Sequence, residues 1–316
     1  MTMTFENFAA VWQESYAAKV ERGQFKQSSL EHHQWALRCH VLPAFAGKEL
    51  AGIGRKDISS FLAGLETKRT FMGTGLAPSC IHSVLNVLRM IFALAVKQGL
   101  LAENPADLGK EDLPARGKPA QAKAMNATQL RDFLEAAQPS KRYWFLFLAC
   151  ASTGLRFGEA AELRWKDVDL AGNSLRVERQ WRAGRTTSPK NGKARNVPFA
   201  DGLARYFQSF SEGRGPDDLV FTGVNGDRLN PGVCNGKIKR CALRAGIPGK
   251  WSFHCLRHTF ASIQISKGQH VQWVQQVLGH SSIAFTLKVY GSWLKMEEKA
   301  GKSAEIAKLI LPAQLA

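Results

Sequence analysis

The residues able to do chemistry in this chain are arginines, histidines and one tyrosine, gathered in its second half. Thr153-Gly154-Leu155-Arg156 reads as the end of one helix and the start of another, and Glu159, three residues on, can hold the Arg156 guanidinium from behind. His254, Arg257 and His258 share one helix face by their offsets of three and four. Leu278-Gly279-His280-Ser281-Ser282 reads as a helix end, a left-handed turn and a new cap, which puts His280 at a corner. Tyr290 follows two turns later. Other chemistries lack their parts. His254 and His258 have the spacing of a zinc-protease helix, but Cys255 stands where its glutamate would be and no third ligand is placed nearby. There is no G-x-x-x-x-G-K-S/T or G-x-G-x-x-G phosphate loop and no serine elbow, so neither a metal nor a cofactor is expected. Singly, each group has a structural explanation: an ion-paired arginine, a histidine capping a junction, a tyrosine in a core. The weight rests on the set.

Charge points to the partner. The chain has 316 residues and a formal net charge of +17; residues 1–125 carry +4 of it and residues 126–316 carry +13. Between Asp227 and Glu297 there is no acidic residue and there are ten Lys or Arg. A second basic run, Arg176, Arg179, Arg182, Arg185, Lys190, Lys193 and Arg195, is interrupted only by Glu178. A field of one sign over such lengths attracts a polyanion, and nucleic acid is the natural one. The basic residues mix with structured apolar patterns and form no detachable polybasic tail, which argues against an anionic membrane surface. The longest near-apolar run, Tyr143 to Ala151, is about half of a bilayer span, and the first residues show no basic-then-apolar leader. Six cysteines without a CxxC pair fit reduced thiols and a cytoplasmic location.

The elements that must position these groups follow from periodicity. With 45 % apolar and 22 % charged residues, the chain reads as globular and about two domains long. Residues 1–105 read as helices: Phe5, Phe8, Trp12 and Tyr16 recur at helical spacing, as do Leu30, Leu37 and Val41. A helix opens at Pro78-Ser79, with Ser79 as its cap and Ile81, Val84, Leu85, Leu88, Ile91, Phe92, Ala95 and Val96 as its stripe. Residues 106–125, with Pro114 and Pro119, read as a linker. Residues 126–316 read as helices near Thr128, over Tyr143–Ser152 and after Gly154, then one strand over Ser174–Trp181. A basic turn leads from that strand into Ala194–Phe199 as a β-hairpin, with Pro198 favouring an edge. Helices resume at about 201–211, 231–245, 254–266, 270–278 and 282–290, and Ile306 to Leu311 form a small terminal apolar face. The fold class is mainly α with a small β-hairpin sheet.

Taken together, Thr153-Gly-Leu-Arg156-Phe-Gly-Glu159, His254-Cys-Leu-Arg257-His258, Leu278-Gly-His280-Ser-Ser282 and Val289-Tyr290-Gly-Ser292 resemble the catalytic boxes of the tyrosine recombinase (phage integrase) family, in the family's order. Ser188-Pro-Lys190-Asn-Gly-Lys193-Ala-Arg195-Asn-Val-Pro198 resembles its β-hairpin lysine box. The resemblance implies a helical core-binding domain over residues 1–105 and a mixed α/β catalytic domain over 126–316, gripping opposite faces of duplex DNA. It implies strand exchange in a tetramer, with Tyr290 as nucleophile forming a 3′-phosphotyrosyl link. Arg156, Arg257 and His280 would then stabilise the phosphate, His254 would take or relay the tyrosine proton, and Lys190 would be the general acid, with Lys193 as the competing choice. Glu159 and His258 would support. Resealing would need neither ATP nor metal. The wording of the boxes is nearer phage and genomic-island integrases than chromosome-dimer (Xer-like) resolvases; type IB topoisomerases share the chemistry. Two features depart from the pattern: Cys255 where aspartate is more usual, and a start directly on the core-binding pattern. The second leaves no room for an arm-binding domain, which implies simpler recombination sites or arm recognition left to a partner; an accessory DNA-bending protein is a further candidate partner. The terminal apolar face would pack on a neighbouring protomer or fold back as core.

Overall fold

The computed structural model describes residues 2–67, 75–109, 111–113, 122–189 and 192–293. Lys190, the Ile306–Leu311 face and part of the 106–125 stretch lie outside the described residues. The chain forms two compact units, Met1–Ala120 and Gln121–Ala316.

The first unit is helical. In α1 (Phe5–Glu21), capped by the Thr4 side chain, Phe5, Phe8, Trp12 and Tyr16 are buried. Helix α2 (Gln27–Ala36) runs through a π-helical turn, Leu37–Val41, into α3 (Leu42–Phe45), and Leu30, Leu37 and Val41 face the core. Helices α4 (Arg55–Thr67) and α5 (Pro78–Lys97) complete it. Ser79 does not cap α5: Ala77 holds that position and Pro78 is the first helical residue, where its missing N–H costs nothing. By length and composition α5 could cross a membrane. Here its stripe packs against α1, α2 and α4 as the central core helix.

The second unit surrounds a larger core. An Asn126–Gln129 capping box starts α6 (Ala127–Ala137). Helix α7 (Lys141–Thr153) is apolar on most sides and correspondingly buried between α6 and α11 (Phe253–Ser266). A single turn, α8 (Phe157–Ala160), follows Gly154. Strands β1 (Val168–Asp169), β2 (Ser174–Val177) and β5 (Arg195–Pro198) form an antiparallel sheet in the order β1-β2-β5, with Leu175 opposite Val197 and Val177 opposite Arg195. Leu175, Val177 and Val197 point into the core, and Pro198 lies on the edge strand. The stretch expected to be one strand is two. It breaks after Val177, where Arg179 turns onto Asp167, and β3 (Gln180–Arg182) pairs with β4 (Arg185–Thr187) across Ala183-Gly184. Both turn residues have positive φ, as a two-residue hairpin requires. Helices α9 (Asp201–Ser211), α10 (Pro231–Arg244), α12 (Val271–Leu278) and α13 (Ile283–Tyr290) lie close to their expected bounds.

Candidate active site

Two glycines aim the chain. Helix α7 ends at Gly154 in the left-handed region (φ 68°), and a Cβ there would stand 2.7 Å from both Leu278 Cδ2 and Phe260 Cδ1. Only glycine meets both demands. The turn it makes delivers Arg156 to the start of α8. Helix α12 ends the same way at Gly279 (φ 62°), which places His280 at the corner before Ser282 caps α13 by accepting from Phe285 N. Helix α11 carries Arg257, and α13 carries Tyr290 as its last residue.

These elements meet at the C-terminus of α12. A helix end leaves carbonyls without intrahelical partners and carries partial negative charge. Here three successive carbonyls each go to a different arginine: Arg195 Nε donates to Val277 O (2.7 Å), Arg257 Nη2 to Leu278 O (2.6 Å) and Arg156 Nη2 to Gly279 O (3.1 Å). Arg257 Nη1 also donates to Gly154 O (2.7 Å), so one guanidinium ties both glycine turns together. Behind them Glu159 accepts from Arg156 Nη1 and backbone N (both 2.8 Å) and from Arg195 Nη1 and Nη2 (2.9 and 2.7 Å). Burial would raise the Glu159 pKa; the hydrogen bonds and charge of Arg195, then the charges of Arg156 and Arg257, overcome it and hold the carboxyl at about 2. Burial, followed by repulsion from Arg156, draws Arg257 down to about 9, and it remains a cation at neutral pH.

Tyr290 is buried beside this cluster, only 1 % exposed. Its hydroxyl lies 2.7 Å from His258 Nδ1, and its ring stacks parallel to His280 with centroids 6.1 Å apart. Burial pushes the phenol up to about 12, while Arg257 and then Arg156 pull it down; both guanidinium groups are therefore within electrostatic reach of the hydroxyl. His258 is lowered to about 4 by burial, then by His254 and Arg257. His280 is lowered to about 3 by burial, then by Arg257 and Arg156. Both imidazoles are neutral at pH 7. His280 Nδ1 and Thr286 Oγ1, 2.9 Å apart, fix the His280 ring.

The structure thus brings together Arg156, Glu159, Arg257, His258, His280 and Tyr290. One contact differs from expectation, while His254 remains close enough to act electrostatically on His258 and His280. The imidazole on the Tyr290 hydroxyl is His258, whereas His254 sits exposed in the first turn of α11, edge-on to the His258 ring at 4.5 Å. The four-residue offset puts the two rings side by side on one face, and the inner one meets α13. Lys190 lies outside the described residues; Lys193 is exposed just before β5. Arg195 and Thr286 were not singled out by sequence reasoning. The Thr286 offset of four from Ser282, inside the His280 box, was an available signal. Arg195 had none, because it looked like one more cation in a basic run. Part of that run turns inward. Arg179 grips Asp167 and Arg195 grips Glu159; from the acid-free stretch Arg228 grips Glu162 and covers the Trp181 ring at 3.9 Å. Among the described residues no cluster of His, Cys, Asp and Glu could hold a metal ion.

A buried phenol against a neutral imidazole, beside two anchored guanidinium groups, defines a protein that can hold an anionic group and move a tyrosine proton. The phage integrase family matches residues 123–295, more than half of the sequence, and the chain belongs to that family. A relative from Caldanaerobacter subterraneus subsp. tengcongensis, named tyrosine recombinase XerC-like, is 26 % identical over 68 % of this chain and 63 % of its own length. Tyrosine recombinase XerC of Rhodospirillum centenum is 29 % identical over 75 % of this chain and 68 % of its own. The match thus spans less than two thirds of the first relative's length. Among solved structures, the Tn1549 transposon integrase in complex with transposon right end DNA superposes with a TM-score of 0.77 at 20 % identity, covering 96 % of this chain and all of that one. A lambda integrase dimer bound to a COC′ core site gives 0.71 at 17 % identity, covering 93 % and 78 %. These two likenesses concern the fold.

Proposed function

We propose that the chain is a site-specific DNA recombinase that cuts and rejoins duplex DNA through a 3′-phosphotyrosyl link at Tyr290, using neither metal nor nucleotide. Supporting this are the family membership and one observation: the Tyr290 hydroxyl rests on a neutral histidine beside two guanidinium groups that, among the described residues, each spend two of five N–H donors on the protein. Those remaining donors are suited to the non-bridging oxygens of one phosphodiester. A phenol with a pKa of about 12 costs roughly 7 kcal/mol to ionise at pH 7, so free tyrosinate is not the attacking species. His258 takes the proton through Nδ1 as the phenol oxygen bonds to phosphorus, and His254, edge-on to it, passes charge toward solvent. The P–O5′ bond breaks and Lys190 protonates the departing 5′ oxygen. His280 gives the phosphate a further donor. Reversal with a different 5′ hydroxyl seals the strand, because the phosphotyrosyl bond retains the energy of the one it replaced.

The substrate is double-stranded DNA at specific sites, contacted by both units. The exposed Lys239, Arg240 and Arg244 on α10 supply phosphate contacts. Exchange proceeds in a tetramer, inside the cell. Integration and excision of a mobile element is the leading biological role; resolution of dimers is the second, favoured by the Xer names of the curated relatives. The test is covalent capture. The full chain selects a site from a random-sequence duplex pool, and that duplex, nicked beside the cleavage point, is incubated with protein and run on a denaturing gel. An adduct that disappears in Tyr290→Phe is expected. An adduct that survives this change assigns the nucleophile elsewhere, and none at all from the unaltered protein removes the reading.

A further inference from the structure

We infer that Arg195 is a positioning residue of this site: it sets Arg156 through Glu159 and sets the His280 corner through Val277 O, without itself meeting the scissile phosphate. The inference rests on the recombinase reading above and adds a residue to its machinery.

The geometry is specific to a guanidinium. Arg195 opens β5, and its side chain is 11 % exposed. The fork takes both Glu159 oxygens while Nε takes Val277 O, so three donors in one plane bridge a carboxylate and a helix end. Glu159 is fully buried and also holds the Arg156 guanidinium and backbone N–H. Without Arg195 the carboxylate loses two of its four hydrogen bonds and the strongest of the influences that keep it ionised. Arg156 would then rest on a partner free to rotate. The close approach also explains Gly279 a second time. A Cβ there would stand 3.2 Å from Arg195 Cδ, Nε and Nη1, so the residue that makes the left-handed turn before His280 also leaves room for the guanidinium beneath it. Arg195 therefore couples three elements. Strand β5 meets α8 through Glu159 and α12 through Val277 O, and Lys190 shortly precedes β5 in the sequence.

The test uses the full chain, single-turnover cleavage of the selected nicked duplex at saturating protein, DNA affinity from a binding titration, and thermal melting. Misplacing a reacting group by about 1 Å costs on the order of 100-fold in rate, so Arg195→Ala is expected to slow cleavage about 100-fold while DNA affinity stays within about threefold. Arg195→Lys keeps the charge but not the fork, so it serves as the folded control for any stability lost in Arg195→Ala and is expected to slow cleavage about 10-fold. In an Arg156→Ala background Arg195→Ala is expected to lose the part of its effect that runs through Glu159 and to keep only the part that runs through Val277 O. A purely structural arginine would lower melting and leave the saturated rate untouched, or slow cleavage by the same factor in both backgrounds. Either result overturns the inference while the Tyr290 adduct of the unaltered protein still stands. If the unaltered protein forms no Tyr290-dependent adduct, the recombinase reading falls first and takes this assignment with it.

Discussion

Glu159→Gln isolates the electrostatics of the site from its packing. The side chain keeps its shape, but the charge that two guanidinium groups share is gone. With the Glu159 carboxyl held at about 2 against an ordinary 4.5, the folded state favours the ionised form by about 3 kcal/mol at pH 7. Because the folded pKa is the lower one, this stability is complete above the unfolded value and drains as pH falls toward the folded value. About 2 kcal/mol of it should be lost by pH 3, the rest only near pH 2. Urea unfolding at pH 7 and pH 3, followed in the Gln121–Ala316 unit by hydrogen exchange, measures it. Wild type is expected to lose about 2 kcal/mol more than Glu159→Gln between the two pH values, because every other carboxylate cancels in the difference. At pH 7 the variant should be less stable by roughly 3 kcal/mol, since two arginines are left without their shared anion. Parallel curves over the whole range would mean that the carboxylate is not held by Arg156 and Arg195, and the account of the α12 terminus would fail with it.

Three further outcomes are expected. His258 is held neutral well below its ordinary 6.5, so the unfolded chain binds a proton there that the folded chain refuses; stability should fall as pH drops from 6.5 toward 4, less steeply in His258→Gln by urea titration. Gly154→Ala must place a Cβ 2.7 Å from Leu278 and Phe260 at positive φ, and urea unfolding is expected to register a loss of about 2 kcal/mol or more. Replacing Lys239, Arg240 and Arg244 with Ala should weaken DNA binding and reduce the slope of log affinity against log salt by roughly one per lost phosphate contact, with the saturated cleavage rate unchanged.

What the sequence disclosed, and what it hid, follow from how local each signal is. The α12–α13 corner was legible because Gly279, His280 and Ser282 carry their own turn and cap chemistry, and the helix bounds were legible because buried stripes repeat at 3.6 residues. The break between β2 and β3 was not, because Ser174 to Trp181 has strand composition throughout. The chain turns there for a tertiary reason, the pull of Asp167 on Arg179. The pairing of His258 with Tyr290 was hidden likewise: offsets of three and four put His254, Arg257 and His258 on one face, but only the arrival of α13 decides which imidazole it meets. The same limit governs the arginines. Summed along the sequence, Arg179, Arg195 and Arg228 look like charge waiting for a polyanion, yet each is spent on a buried carboxylate of its own chain. A buried acid tolerates its desolvation only when cations surround it. The excess of basic residues therefore serves two ends at once. One share is spent on buried carboxylates, Arg195 among them behind Arg156, and the remainder, on surfaces such as α10, stays exposed.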